Sequence, residues 1–295
     1  MKGDCHKLKE EIKKLSEDYG FKGLFHFTEF SNLKSIIDIG YLCSRALCYA
    51  NNIDFMDACP GWETAQNDVK SCTRFYYDAP KNQSANLEVP VYLLFCEDLI
   101  CFDLSIFSDG DAHSMYTKFG TDHEFFSKKI DWNSVFNKSV PSDSQTGLLS
   151  MQRKSSAEML IDEPVPIKYM KNVIFRCSAD YKRACSMFGK NKMFRVEPEI
   201  FDFCRNFIKD YSIIYNENLD KKVFIVHFCT NEAVEDAGNN EYVLIDLDGN
   251  LISRKKIGFP VSDSTDFCIE ITKTEQPVRF NLYFNGILSI DETVG

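Results

Sequence analysis

Leu24-Phe25-His26-Phe27-Thr28, followed by Glu29 to Gly40, decides the fold class. The first five residues are apolar or β-prone and read as a strand. Glu29 to Ile39 reads as a helix: Ser31 is a good N-cap, Leu33, Ile36 and Ile37 share a face, and Gly40 ends it. A strand feeding a helix places His26 and Thr28 at the carboxyl end of the strand. Three more stretches follow in order: Gly40-Tyr41-Leu42-Cys43-Ser44-Arg45, Thr73-Arg74-Phe75-Tyr76-Tyr77 and Ser156-Ala157-Glu158-Met159-Leu160-Ile161. Each is weak alone. Together they bring a His, Arg side chains and one Glu toward strand ends.

Working outward, residues 6–19 are rich in Lys and Glu with Leu8, Ile12 and Leu15 at helical spacing, an amphipathic helix ended by Gly20. Residues 45–71 have no clean period and read as a long loop with short helical turns, a length that is uncommon unless functional. Arg74 to Tyr77, Pro90 to Phe95 and Leu99 to Leu104 read as strands, the last two joined by a turn at Glu97-Asp98. Residues 108–155 read as a second polar loop, with Asp109-Gly110-Asp111, two His, Pro141-Ser142-Asp143-Ser144, and a helix near Phe125 to Phe136. Ala157 to Ile161 and Val173 to Cys177 read as strands, and Ala179 to Phe188 and Glu197 to Phe207 as helices. From about 210 the texture becomes all-β, with strands at Val223–Cys229, Tyr242–Asp246, Asn250–Lys256, Phe267–Thr272 and Arg279–Phe284. Turn pairs such as Asp248-Gly249 and Asn285-Gly286 separate them. The expected domains are 1–209 and a β-rich, sandwich-like 210–295.

The 295 residues, 44% hydrophobic with 25 Phe and 13 Tyr, are enough for a sizeable core and exclude a disordered chain. The net charge of -10 offers no overall basic footprint for nucleic acid, although a local basic cleft is compatible with it. Twelve cysteines include no CxxC pair and no zinc-finger spacing, so they read as buried reduced thiols and no metal is expected. The chain opens Met1-Lys2-Gly3-Asp4 and carries no long apolar run, so neither a signal peptide nor a membrane span is expected, and the location is cytoplasmic. There is no GxGxxG and no P-loop.

Glu158 opens a strand directly after the polar loop. Such a residue is commonly just solvated. As a functional group it can hydrogen-bond a ribose hydroxyl and take a proton from an acceptor. Arg74 is either an edge-strand arginine lying over aromatics or a fork for pyrophosphate. Arg153, in the basic pair before Glu158, is a loop charge unless the loop folds over the site. His26 is either a satisfied core histidine or a contact to a ligand. His113 and His123 lie in the second loop, within reach of a substrate. Phe75-Tyr76-Tyr77 is either core or the border of a single-stranded nucleic-acid groove.

These stretches resemble the DarT family of DNA ADP-ribosyltransferases, toxins that transfer ADP-ribose from NAD to a base in single-stranded DNA. The matching motifs are His26-Phe27-Thr28, Asn32-Leu33 to Gly40-Tyr41-Leu42-Cys43-Ser44-Arg45, Arg74-Phe75-Tyr76-Tyr77, Val89-Pro90-Val91-Tyr92 and Ala157-Glu158-Met159-Leu160-Ile161, over about residues 22–180. The resemblance implies an α+β fold: an ADP-ribosyltransferase-like split mixed sheet with helices, plus the small C-terminal all-β domain. It implies Glu158 and Arg74 as catalytic. It implies His26, Thr28, Asn32, Gly40, Leu42 and Arg45 as NAD-binding, a flexible NAD-binding element at 45–73, and Arg153, Tyr76 and His123 as substrate-binding. NAD is then a substrate and no metal is needed. The implied partners are NAD, single-stranded DNA and a macrodomain-type hydrolase as antidote. The β-rich end lies outside the family pattern, and the tyrosine in Gly40-Tyr41-Leu42 departs from it. RNA or protein therefore stays open as acceptor, as does a non-catalytic binding module.

Overall fold

The computed structural model describes residues 2–57, 71–137, 145–203, 205–216, 223–233, 238–258, 265–272 and 276–294. Of the two long loops read from sequence, residues 58–70 and 138–144 lie outside that set. The chain divides into two compact units, Met1–Val173 and Ile174–Gly295.

The first unit runs α1 (Cys5–Tyr19), β1 (Leu24–Glu29), α2 (Leu33–Ile39), β2 (Tyr41–Leu42), α3 (Arg45–Ala50), β3 (Thr73–Tyr76), α4 (Lys81–Ser84), β4 (Pro90–Phe95) and β5 (Ser105–Ser108). It continues with β6 (Phe119–Gly120), α5 (His123–Lys128), α6 (Trp132–Val135), α7 (Gln145–Ser155), β7 (Glu158–Ile161), β8 (Val165–Pro166) and the boundary strand β9 (Met170–Phe175). Its main sheet has the order β9-β4-β1-β3-β7-β5-β6. Beside it, β2 and β8 form a two-stranded ladder, Leu42 facing Val165. β4 is buried along its whole length, which suits its continuous apolar sequence, and Pro90 sits at its first position. α1 buries Leu8, Ile12 and Leu15 and ends at Gly20, φ 74°, as the spacing predicts.

Glu29 shows how local chemistry fixes the sheet. Its buried carboxylate accepts the Glu88 N–H at 2.5 Å and the Val89 N–H at 3.0 Å, two donors at the start of β4. Tyr77, Phe107, Phe126 and Trp132 make edge-on or tilted ring contacts with centroids about 4.9–6.0 Å apart.

The second unit contains α8 (Ser178–Phe188), β10 (Phe194–Val196), β11 (Ile208–Asn216), β12 (Val223–Thr230), β13 (Asn240–Ile245), β14 (Leu251–Ile257), β15 (Asp266–Thr272), β16 (Val278–Phe284) and β17 (Ile287–Val294). Two antiparallel sheets, β11-β12-β15 and β14-β13-β16-β17, share one core that includes Phe224, Val226, Tyr242, Leu244, Phe280, Leu282 and Ile290. Asn285-Gly286 turns β16 into β17 with both residues at positive φ, 52° and 81°, the backbone that a two-residue hairpin requires. Sequence texture changes at 210, whereas the compact unit starts at Ile174. The difference lies in α8: Cys177 and Ala179 join the β core.

Three expectations change. Leu99 to Leu104 is not a strand: a 3-10 helix spans Glu97–Cys101, closed by Ser105 Oγ donating to Leu99 O at 2.6 Å, and the strand follows at Ser105–Ser108. Glu197 to Phe207 is not a helix: among its described residues only a 3-10 turn forms, at Pro198–Ile200, before β11. Within the expected second loop, Gln145–Ser155 is helical. Among the described residues no helix is long and apolar enough to cross a membrane.

Gly23, φ 134°, leads into β1 with its α-carbon pressed on β4. A Cβ there would stand 2.4 Å from Phe95 O. Gly23→Ala is expected to lower the melting temperature by several degrees, through a strain of about 1–3 kcal/mol. Calorimetry checks this.

Candidate active site

β1, β3 and β7 lie side by side and carry the predicted groups. β3 and β7 pair fully, with Tyr76 opposite Glu158 and Arg74 opposite Leu160. β1 and β3 meet at one pair, Phe25 opposite Tyr76, and then part. The sheet is split at that point, and a cleft opens there. Beyond the split, Arg74 O takes its hydrogen bond from a side chain: His26 Nδ1 donates to it at 2.9 Å. A carbonyl only accepts, so Nδ1 carries the hydrogen. Burial lowers the His26 pKa, the ring is neutral, and Nε2 is an acceptor.

Glu158 is only 1% exposed and Arg74 9%. Arg74 Nη1 lies 3.6 Å from Glu158 Oε2. That oxygen also accepts the Ala112 N–H at 3.2 Å, and Tyr76 stands opposite Glu158 on β3. Burial raises the Glu158 pKa above the ordinary carboxylate range, with Arg74 pulling the other way. Ser108 fixes the start of β7: its Oγ accepts the Glu158 N–H at 2.8 Å and donates toward Gly110 O at 2.6 Å.

His113 Nδ1 sits 3.1 Å from Arg74 Nη1 and 3.0 Å from Asp111 Oδ1. Bare, that nitrogen accepts from Arg74; protonated, it donates to Asp111. Asp111 is pushed up by burial but pulled down further by its hydrogen bonds from His113, so its pKa is lowered. His113, Arg74 and Tyr76 form one wall of the cleft, and Glu158 lies behind them without lining it.

The cleft is open to solvent and is bounded also by His26, Thr28, Leu42, Ser44, Arg45 and Asp57. Ser44 caps α3 by accepting the Leu47 N–H at 3.3 Å, which presents Arg45 at the first turn. Arg45 is ion-paired with Asp57. Asn32 is fully used: its amide donates to Thr28 Oγ1 at 3.0 Å and Met56 O at 2.9 Å, and its oxygen accepts the Met56 N–H at 2.6 Å. It staples segment 53–57 to β1. Gly40, φ 80°, does not line the cleft; it turns α2 into β2 and its carbonyl accepts the Ile167 N–H at 3.0 Å.

Two substrate residues read from sequence sit elsewhere. His123 opens α5, where its N–H bonds Asp4 and its ring lies 3.8 Å from Glu11, against α1. His113, ten residues earlier in the same loop, is the histidine at the site; the Asp109-Gly110-Asp111 turn beside it was the available signal. Arg153 does not line the cleft. Its Nη1 donates to Asp109 Oδ1 at 2.8 Å and Thr117 Oγ1 at 3.3 Å, so it braces the loop that covers Glu158.

A family model described as ssDNA thymidine ADP-ribosyltransferase, DarT, matches residues 25–202, more than half of the chain. The chain belongs to the DarT family. Membership makes it an ADP-ribosyltransferase that uses NAD. Thermus sp. 2.9 DarT in complex with carba-NAD+ is similar over 61% of this chain and 97% of that one, at 13% identity and a TM-score of 0.48. The same protein in complex with ADP-ribosylated ssDNA gives 61%, 95%, 13% and 0.49. Thermosipho africanus DarTG in complex with ADP-ribose covers 65% of this chain and 53% of that one, at 16% identity and a TM-score of 0.50, a likeness of fold. No curated protein matches the chain.

The Asn32 staple is testable without activity. Asn32→Ala removes three hydrogen bonds, and the Met56 amide is expected to exchange with solvent severalfold to about tenfold faster. Hydrogen-exchange mass spectrometry of peptides over 53–57 reads this directly.

Proposed function

We propose that this DarT-family chain transfers ADP-ribose from NAD to a thymidine base of single-stranded DNA, with Glu158 as the base and Arg74 holding it in place. The observation that carries the reading is the buried Glu158–Arg74 pair, with Arg74 lining an open cleft and Glu158 directly behind it. The donor set fits NAD. Arg45 offers a fork for phosphate, on exchange of its Asp57 partner. Thr28 Oγ1 and the bare His26 Nε2 offer polar contacts for the nicotinamide end, and Leu42 an apolar wall. Asn32 and Gly40 act through the backbone they position.

Positive charge grows on the ribose carbon as nicotinamide leaves with the bonding electrons, and a carboxylate beside it is the group that stabilises such charge. The base nitrogen forms the new bond to that carbon and gives its proton to Glu158. Arg74 offsets part of the pull that burial exerts toward the protonated carboxyl. A base inside a duplex cannot reach such a wall, which favours single strands. Tyr76 and His113 line the same cleft. We assign the catalytic role to a domain of residues 1–209 and an accessory role to 210–295. We further propose a cytoplasmic toxin of a toxin–antitoxin or anti-phage system, counteracted by a macrodomain-type hydrolase.

Incubation with labelled NAD and separate pools of single-stranded DNA, duplex DNA, RNA and protein tests the acceptor. Label on single-stranded DNA is expected; label confined to RNA or protein overturns the acceptor. Glu158→Gln is expected to lower transfer by about 10²–10⁴-fold, and wild-type turnover in that variant would remove Glu158 from the chemistry. Because the ionised carboxylate is the active form and its pKa is raised, transfer should fall as pH drops through a value above the ordinary glutamate range. A pH–rate profile measures that limb. Expression should arrest growth, and a co-expressed macrodomain hydrolase should restore it.

A further inference from the structure

The loop between β5 and β6 enters the site twice, through the Ala112 N–H on Glu158 and His113 on Arg74. Its tip is closed on itself. Ser114 N–H donates to Asp111 O at 3.0 Å, Thr117 N–H to Ser114 O at 3.1 Å, and Thr117 Oγ1 to Asp111 O at 2.6 Å. Its base is closed too, by Asp109 N–H on Lys118 O at 3.1 Å and Asp111 N–H on Arg153 O at 3.0 Å. The backbone is thus fixed on both sides of the tip.

Yet the tip presents Met115, 78% exposed, and Tyr116, 76% exposed, the two most exposed large hydrophobic side chains among the described residues. A single exposed apolar residue needs no explanation. Two adjacent ones on a braced loop, two residues from a histidine of the active-site wall, are a different matter. A ring held on a rigid loop loses little freedom on binding. A flat ring with a polarizable thioether next to it suits an unstacked nucleobase. Charge is the weaker offer here, since Arg153 is matched to Asp109 and Lys154 to Asp131.

We propose that Tyr116, with Met115 beside it, stacks on a base of the acceptor strand next to the base that is modified. The inference rests on the reading of single-stranded DNA as acceptor and adds the residues that grip it. Fluorescence anisotropy of a thymidine-containing oligonucleotide, without NAD, measures the grip. Tyr116→Ala is expected to raise Kd about tenfold, and Tyr116→Phe to restore it. Tyr116→Leu, apolar but not flat, should resemble the alanine variant. On a base-free deoxyribose-phosphate oligomer of equal length the wild-type advantage should vanish, which a merely structural role for Tyr116 would not produce. Labelling of the same oligonucleotide by the unmutated protein separates the two ideas. Labelled DNA with equal Kd for wild type and Tyr116→Ala overturns the stacking site alone. Absence of label on DNA overturns the acceptor and the stacking site together.

Discussion

Everything at this site depends on a carboxylate and a guanidinium that are both out of water. Glu158 and Arg74 each lose hydration on burial, and a buried charge stripped of its partner is strongly destabilising. The surroundings answer that constraint one donor at a time. Ala112 bonds Glu158, His113 meets Arg74, and Ser108 anchors the strand that carries the glutamate. The loop over β7 is therefore more than a cover. Without its Ala112 N–H one carboxylate oxygen loses a charge-assisted bond that low dielectric makes strong.

That dependence explains which parts were readable in sequence. His26, Thr28, Arg74 and Tyr76 stand on short strands with clear β patterns, and the residues line one cleft because the sheet splits between β1 and β3. Gly40 and Asn32 were legible as motif members, but their work is done through the backbone: a left-handed turn at one and a threefold amide staple at the other. His113 was not separable from His123, since both lie in a segment without a period, and only the fold sends one to Arg74 and the other to α1. The 3-10 helix at Glu97–Cys101 was misread because its apolar residues also fit a buried strand, while Ser105 Oγ decides for the helix.

The two longest strands missed in the second unit, β11 and β17, escaped for a related reason. β11 carries a register shift between Ile208 and Asp210, which breaks period two at its start. β17 buries Ser289 and Asp291 among apolar neighbours, so its alternation is polar where a strand is expected to be apolar. The cost is met in the fold, because Arg279 on β16 grips Asp291 with two nitrogens. A buried acid paired to a half-exposed arginine is invisible to a pattern built on hydrophobicity.

The acidic balance, finally, constrains how an acceptor is held. A chain with a net charge of -10 has no long-range attraction for phosphate. Four bases near the site are paired: Arg45 with Asp57, Arg74 with Glu158, Arg153 with Asp109 and Lys154 with Asp131. A strand that displaced those carboxylates would exchange one anion for another, with little net gain. Recognition under these terms favours groups that charge does not screen: ring faces, a shaped wall, and backbone already fixed by hydrogen bonds. Binding of that kind releases few counterions, so its dependence on salt is shallow. The exposed ring of Tyr116 on a braced loop, a few residues from a buried Glu–Arg pair, meets that requirement without making the surface basic.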